Sequence, residues 1–261
     1  MAKFEKFVRD SRFELILQNA TSRNFFLLAQ GQVDESLSDN VSQLYSDQKK
    51  AFKRFCKLLV TNLVDMFPQR KDVLPNLVGR VVGLAGSKQR LVRLSFTHVA
   101  IMLMKSLLEN LRECQLVYER LESSQTQQAE EKAAIASDCL VLLKLVVREI
   151  IDKVVRKRIC DPQEWTRRLV LEGLAGLDFN ELRIALQLDS SLLEIVVDAL
   201  RDVKDVQKAA LSLLQNILHR YRQDDSSNLK VEIWQKLFLR SKLQLIKLCR
   251  VQETQVSLKA I

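Results

Sequence analysis

The chain has 261 residues, of which 47% are apolar and 28% are charged, and its formal net charge is +9. This apolar content is enough for a sizeable core and is too high for a disordered chain. Six glycines and three prolines are too few for the turns of a sheet protein, so the composition predicts long helices joined by short polar loops. The basic surplus favours acidic partners, chiefly nucleic acid.

Apolar residues recur at spacings of three and four along nearly the whole chain, which is the period of amphipathic helices. The first helices are predicted near Phe4 and Phe13. A strongly amphipathic helix follows over residues 49–66. Its apolar face comprises Phe52, Phe55, Cys56, Leu59, Val60 and Leu63. The next helix is predicted to start near Asp72, with Pro75 tolerated in its first turn.

A long helical hairpin is predicted in the middle of the chain. Its first helix begins after Ser87, which we expect to act as the cap, and runs past Tyr118. The most polar stretch of the sequence, residues 122–132, predicts the tip of the hairpin. The return helix is predicted from about Ala133 to Arg158.

Shorter helices are predicted after the hairpin. The first is capped by Asp161, has Pro162 in its first turn and runs through Leu174. Further helices are expected over 178–186, 190–201, 205–221, 229–239 and 242–249, and from 253 onward. These helices pair at roughly the 40–47 residue period of HEAT repeats, and residues 201–211 resemble the second helix of such a repeat.

The sequence therefore predicts an all-α, HEAT-like helical-repeat solenoid with a long protruding hairpin. Its segments are an N-terminal helical part (1–87), the hairpin (88–158) and the repeats (159–261). The alternative architecture is an irregular helical bundle. Because residues 255–261 look like the start of a repeat that is not completed, we expect either the N-terminal part of a longer protein or a shortened paralogue.

Nothing in the sequence indicates catalysis, a metal or a cofactor, so we expect a protein that is not an enzyme. Neither His98 nor His219 has a further ligand at metal-binding spacing, and no nucleophile has an activating partner that the sequence reveals. The five cysteines are scattered, which predicts free, buried thiols in a reducing compartment. No stretch has the length and composition expected of a signal peptide or a membrane span.

Basic residues are concentrated between Lys49 and Leu108, where twelve bases and two acids give a net charge of +10. Lys49, Lys53 and Lys57 recur every four residues, which predicts a positive stripe on one helix. The alternative is an ordinary solvated face, but such faces usually mix charges of both signs. The predicted contacts to DNA phosphate are Lys49, Lys50, Lys53, Arg54, Lys57, Arg80, Lys88 and Arg90.

Two further clusters are candidates for partner binding. Arg156, Lys157 and Arg158 form a second basic group, which could serve nuclear import or a partner, or could simply be surface. Trp234 and Phe238 stand four residues apart on one helix face. They could receive a short aromatic peptide motif, although core packing explains the same spacing.

Several blocks, in order, resemble the stromalins, the HEAT-repeat subunit of cohesin. The blocks are residues 49–60, 91–107, 116–123, 161–172 (with Asp161, Arg167, Leu169 and Glu172 in matching order) and 188–221. The resemblance covers roughly residues 45–261. The chain departs from the family at Asp198, where the family has a tryptophan, and at Cys160, where it has an arginine.

The resemblance implies a hook-shaped solenoid in the nucleus, on chromosomes, that clamps the central part of the kleisin subunit of cohesin and helps to hold double-stranded DNA. It also implies that Trp234 and Phe238 belong to a surface that receives short aromatic motifs of chromatin regulators. We expect a role in sister-chromatid cohesion and chromosome segregation. The alternative is another helical-repeat adaptor, such as a transport receptor, a tubulin-binding array or a phosphatase scaffold.

Overall fold

The computed structural model describes residues 38–123, 126–188 and 191–223, and within these ranges it contains helices and no strand. The predicted all-α class is therefore confirmed for the described residues. The helices predicted near Phe4 and Phe13, and those from residue 229 onward with Trp234 and Phe238, lie outside the described residues. The chain divides into two compact units, residues 1–150 and 151–261.

The first unit contains four helices in its described part: α1 (Ser38–Asp65), α2 (Val73–Ala85), α3 (Arg90–Glu122) and α4 (Gln127–Ile150). The helix α3 packs against each of the other three. Pro75 lies in the first turn of α2, as predicted. The core is made of residues from all four helices, among them Val60, Leu77, Met104, Leu107 and Leu143.

The middle of α3 is buried on every side, including all residues from Leu94 to Ile101. Two of its buried polar side chains bond to the helix backbone, since Thr97 Oγ1 donates to the carbonyl of Arg93 (2.7 Å) and Asn110 Nδ2 donates to that of Ser106 (2.8 Å). Contrary to the prediction from the sequence, α3 is long and apolar enough to cross a membrane by these two criteria alone, but 72% of its apolar window is buried inside the protein. This environment is typical of the central helix of a helical core.

The hairpin differs from the prediction at both of its predicted helix starts. Ser87 does not cap α3, which begins at Arg90; instead its Oγ accepts a hydrogen bond from the Gln89 N–H (3.1 Å) in the preceding turn. The helix α4 begins at Gln127, not near Ala133. The polar residues 127–132 are helical because glutamine, alanine, glutamate and lysine all favour helix, so the hairpin tip is shorter than predicted.

The second unit begins with a π-helical turn (Ile151–Val155) that leads into one α-helical turn, α5 (Arg156–Arg158). It continues with α6 (Glu164–Ala175), α7 (Phe179–Leu188), α8 (Leu192–Asp198), a 3-10 turn (Ala199–Arg201) and α9 (Lys204–Gln223). The helices α6 and α9 pack against each other. Asp178 caps α7 reciprocally, because its Oδ1 accepts the Glu181 N–H (2.8 Å) while Glu181 Oε2 accepts the Asp178 N–H (2.7 Å).

Candidate nucleic-acid interface

Most of the predicted DNA-contacting residues are exposed on the first unit. Seven of the eight have described side chains, and all seven are exposed: Lys50, Lys53, Arg54, Lys57, Arg80, Lys88 and Arg90. The eighth, Lys49, lies in α1, but its side chain is outside the described ones. No acidic residue occurs between positions 49 and 64 of the sequence, so this part of α1 carries charge of one sign.

The period of α1 explains why these bases face outward. Cys56, Leu59, Val60 and Leu63 fill the buried face, Arg54 falls on the opposite side of the helix, and Lys53 lies at the edge of the buried face and is exposed. Phe55 was predicted to share the apolar face, but it is 39% exposed. Its position is about a quarter turn from the centre of the buried face, which leaves the ring at the edge of the core.

The packing of α1 on α3 brings basic residues from two parts of the sequence to one region. The Phe52 ring lies 6.2 Å from the His98 ring, and Lys57 Nζ lies 3.1 Å from Glu109 Oε2. Because the later residue of α1 contacts the later residue of α3, the two helices run in the same direction. Lys53 and Arg54 follow Phe52 directly and therefore lie near the level of His98, about 12 Å along α3 from Arg90 at its start.

Lys57 is held in an ion pair with Glu109, whose carboxylate is largely buried. The sequence did not reveal this pair because Glu109 lies on another helix and immediately follows the basic stretch that ends at Leu108. Lys50 and Arg80 also make interactions within the chain. We call the remaining exposed cations, Lys53, Arg54, Lys88 and Arg90, the basic face; contact of Lys50, Lys57 and Arg80 with DNA stays a prediction.

Two of the three basic side chains in the second cluster form ion pairs or hydrogen bonds within their own unit. Arg158 Nη1 donates to Asp161 Oδ2 (2.7 Å), and the two side chains are only 15% and 0% exposed. Arg156 donates to Ser191 Oγ and lies 3.5 Å from Asp152. Both guanidinium groups are therefore engaged inside the unit, and the binding of a partner by Arg156 and Arg158 stays a prediction. Lys157 remains exposed.

A second ion pair connects the start of α9 to α6. Arg167 Nε and Nη2 donate to the two carboxylate oxygens of Asp202, each at 2.6 Å, and Arg167 Nη1 donates to the Asp161 carbonyl at 2.8 Å. Burial acts to raise the pKa of Asp202, but hydrogen bonds from Arg167 and the Val203 N–H and the charge of Arg167 outweigh it and lower that pKa. Sequence reasoning missed the pair, whose members are 35 positions apart.

Replacing Asp202 with alanine is expected to lower the free energy of unfolding by roughly 2–3 kcal/mol, because a partly buried guanidinium loses its bidentate acceptor. Since the folded-state pKa of Asp202 is depressed, this stabilisation is present above the ordinary aspartate pKa and is lost as the pH falls through the lower folded-state value. Denaturant unfolding at neutral and acidic pH measures both effects. An equal difference between wild type and D202A at both pH values contradicts the assignment.

Two other kinds of site, a metal site and a reactive thiol, are candidates among the described residues. Within them, no group of three or more histidine, cysteine or acidic side chains is placed to hold a metal ion. Cys56, Cys114, Cys139 and Cys160 are free thiols, as predicted, although Cys114 is only half-buried and Cys160 is exposed. Burial raises the pKa of the Cys56 thiol to about 12, so this cysteine stays protonated at neutral pH.

Comparison of the chain with protein-family models finds no match, and comparison with curated proteins finds none that is significantly similar.

Proposed function

We propose that this chain is a non-catalytic, stromalin-type subunit of cohesin that binds a kleisin subunit and double-stranded DNA on chromosomes. The basic face carries the DNA part of the proposal. Its four cations are exposed on the first unit and come from two stretches of sequence, one on α1 and one at and just before the start of α3. Such a surface attracts phosphate groups without reading base sequence, which suits a protein that must act at many chromosomal positions.

A recurring burial pattern supports the repeat architecture on which the proposal depends. Val170, Leu171 and Leu174 of α6 are buried, and the residues 40 positions later, Ala210, Leu211 and Leu214 of α9, are buried as well. A separation of 40 is within the period expected of HEAT repeats. Units of this kind cannot bury their apolar faces alone, so they stack on neighbours and offer long surfaces to elongated partners.

The resemblance to stromalins supports kleisin as the partner. Two of the residues in the matching block 161–172, Asp161 and Arg167, lie in the ion pairs that connect α5, α6 and α9. Their roles in this chain are structural. Because Asp161 and Arg167 hold these helices together, a chain that has both residues is expected to have the same helix packing. We expect the kleisin-binding surface on the exposed sides of these packed helices.

Co-purification with kleisin fragments tests the proposal. We expect the full chain to form a stoichiometric complex with the central part of a kleisin and not with its terminal segments, as measured by size-exclusion chromatography with light scattering. The terminal segments serve as the matched control. Absence of a complex with every central kleisin fragment, together with retained DNA binding, would instead favour another helical-repeat adaptor.

A further inference from the structure

Two cysteines meet across the hairpin formed by α3 and α4. Cys114 lies on α3 and Cys139 lies on α4. The Cys114 thiol is 3.6 Å from the carbonyl oxygen of Ala136, one helical turn before Cys139 on the same face of α4. The two thiols are themselves in hydrogen-bonding contact. Sequence spacing does not reveal this pair, because the cysteines belong to different helices with no characteristic spacing.

The environments of the two thiols differ. Cys139 is buried, whereas Cys114 is half-buried and open to small solutes. The hydrogen bond from Cys139 lowers the pKa of Cys114 to about 7, and the same bond, together with burial and the Cys114 charge, raises the pKa of Cys139. Of the two thiols, Cys114 is therefore the one that more readily forms a thiolate, the reactive form, and Cys139 is the hydrogen-bond donor.

We propose that Cys114 and Cys139 form a reversible oxidation site, at which hydrogen peroxide converts the two thiols into a disulfide that links α3 to α4. The Cys114 thiolate attacks one peroxide oxygen, the O–O bond breaks, and the released hydroxide takes a proton to become water. The sulfenic acid left on Cys114 is then attacked by the Cys139 sulfur, which gives up its proton as the S–O bond breaks and a second water leaves. Two thiols are oxidised and one peroxide is reduced.

The positions of the two residues make the second step fast relative to further oxidation. Once Cys114 becomes a sulfenic acid, Cys139 no longer donates a hydrogen bond to a thiolate, which is the largest cause of its raised pKa, and the smaller effect of the Cys114 charge is lost as well. The attacking sulfur is carried one helical turn along α4 from Ala136, whose carbonyl oxygen lies 3.6 Å from the Cys114 sulfur. A thiol or thioredoxin-type reductant restores the pair by disulfide exchange, as expected of cysteines in a reducing compartment.

Peptide mapping after mild peroxide treatment tests the proposal on the full chain. Trypsin separates the two cysteines into peptides 113–120 and 133–144, so a disulfide joins two peptides that are otherwise distinct. We expect the linked pair under non-reducing conditions, with the loss of two hydrogen atoms, and its disappearance on reduction. The peptides that contain Cys56 and Cys160 are internal controls and should remain mainly alkylated by the quenching reagent.

Two single-residue variants test the two oxidation steps separately. In C139S, dimedone should label a persistent sulfenic acid on Cys114, whereas in C114S the peptide with Cys139 should stay reduced. Dibromobimane, which becomes fluorescent on bridging two thiols, gives a readout on the unmodified chain that does not depend on how the variants fold. The proposal is overturned if peroxide leaves peptides 113–120 and 133–144 unlinked and dibromobimane fails to bridge them.

Discussion

Replacing Asp161 with alanine is expected to lower the free energy of unfolding of the second unit by roughly 3–5 kcal/mol. The Asp161 carboxylate is fully buried and accepts hydrogen bonds from Arg158 Nη1 (2.7 Å) and from the Gln163 N–H (2.9 Å). Removing it leaves a mostly buried guanidinium without its counter-charge and the start of α6 without its acceptor. Both losses act in the same direction.

Tryptophan fluorescence during denaturant unfolding measures this loss, since both tryptophans of the chain, Trp165 and Trp234, belong to the second unit. Glu172→Ala is the matched control, because it removes an exposed carboxylate from its ion pair with Arg168 and should cost less than about 1 kcal/mol. If D161A and E172A unfold at the same denaturant concentration, the buried pair does not stabilise the unit as argued.

Reversing the charges of the basic face is expected to abolish most DNA binding. A variant with Lys53, Arg54, Lys88 and Arg90 all replaced by glutamate should bind a duplex on the order of 100-fold more weakly at low salt, because four cations that neutralise phosphates become anions. All four side chains are exposed, so the fold should be preserved. Fluorescence anisotropy with a labelled duplex measures the affinity, and circular dichroism checks the helix content.

A variant of equal charge provides the control for this experiment. Glutamate is placed at four exposed basic positions elsewhere in the same unit: Arg120, Lys132, Lys144 and Arg148. These lie on the C-terminal part of α3 and on α4, where acidic residues are interspersed, as at Glu119, Glu130, Glu131 and Asp138. If both variants lose affinity equally, net charge alone attracts DNA and the basic face has no special role.

Local sequence patterns predicted the helices well, because the period of apolar residues follows directly from which face of a helix is buried. The face of α1 that includes Cys56, Val60 and Leu63 is buried as the spacing predicted. Helix ends were less accurate. The start of α4 was placed too late because polarity was taken to indicate a loop, although the residues 127–132 are good helix formers.

Pairs between distant residues could not be predicted in the same way. Lys57–Glu109, Arg167–Asp202 and Cys114–Cys139 each join different helices, and nothing in the sequence spacing identifies the partner. These pairs decide which side chains remain available to a partner. The first of them engages Lys57 within the chain, whereas the basic face consists of Lys53, Arg54, Lys88 and Arg90.

The salt dependence of DNA binding tests the central claim most directly. The full chain is titrated against two labelled duplexes of unrelated sequence over a range of salt concentrations. We predict equal affinity for both duplexes and a slope of log affinity against log salt of about −3 to −4, since each of four phosphate contacts contributes about −0.9. No binding at low salt, or an affinity that does not change with salt, contradicts a DNA-binding role for the basic face.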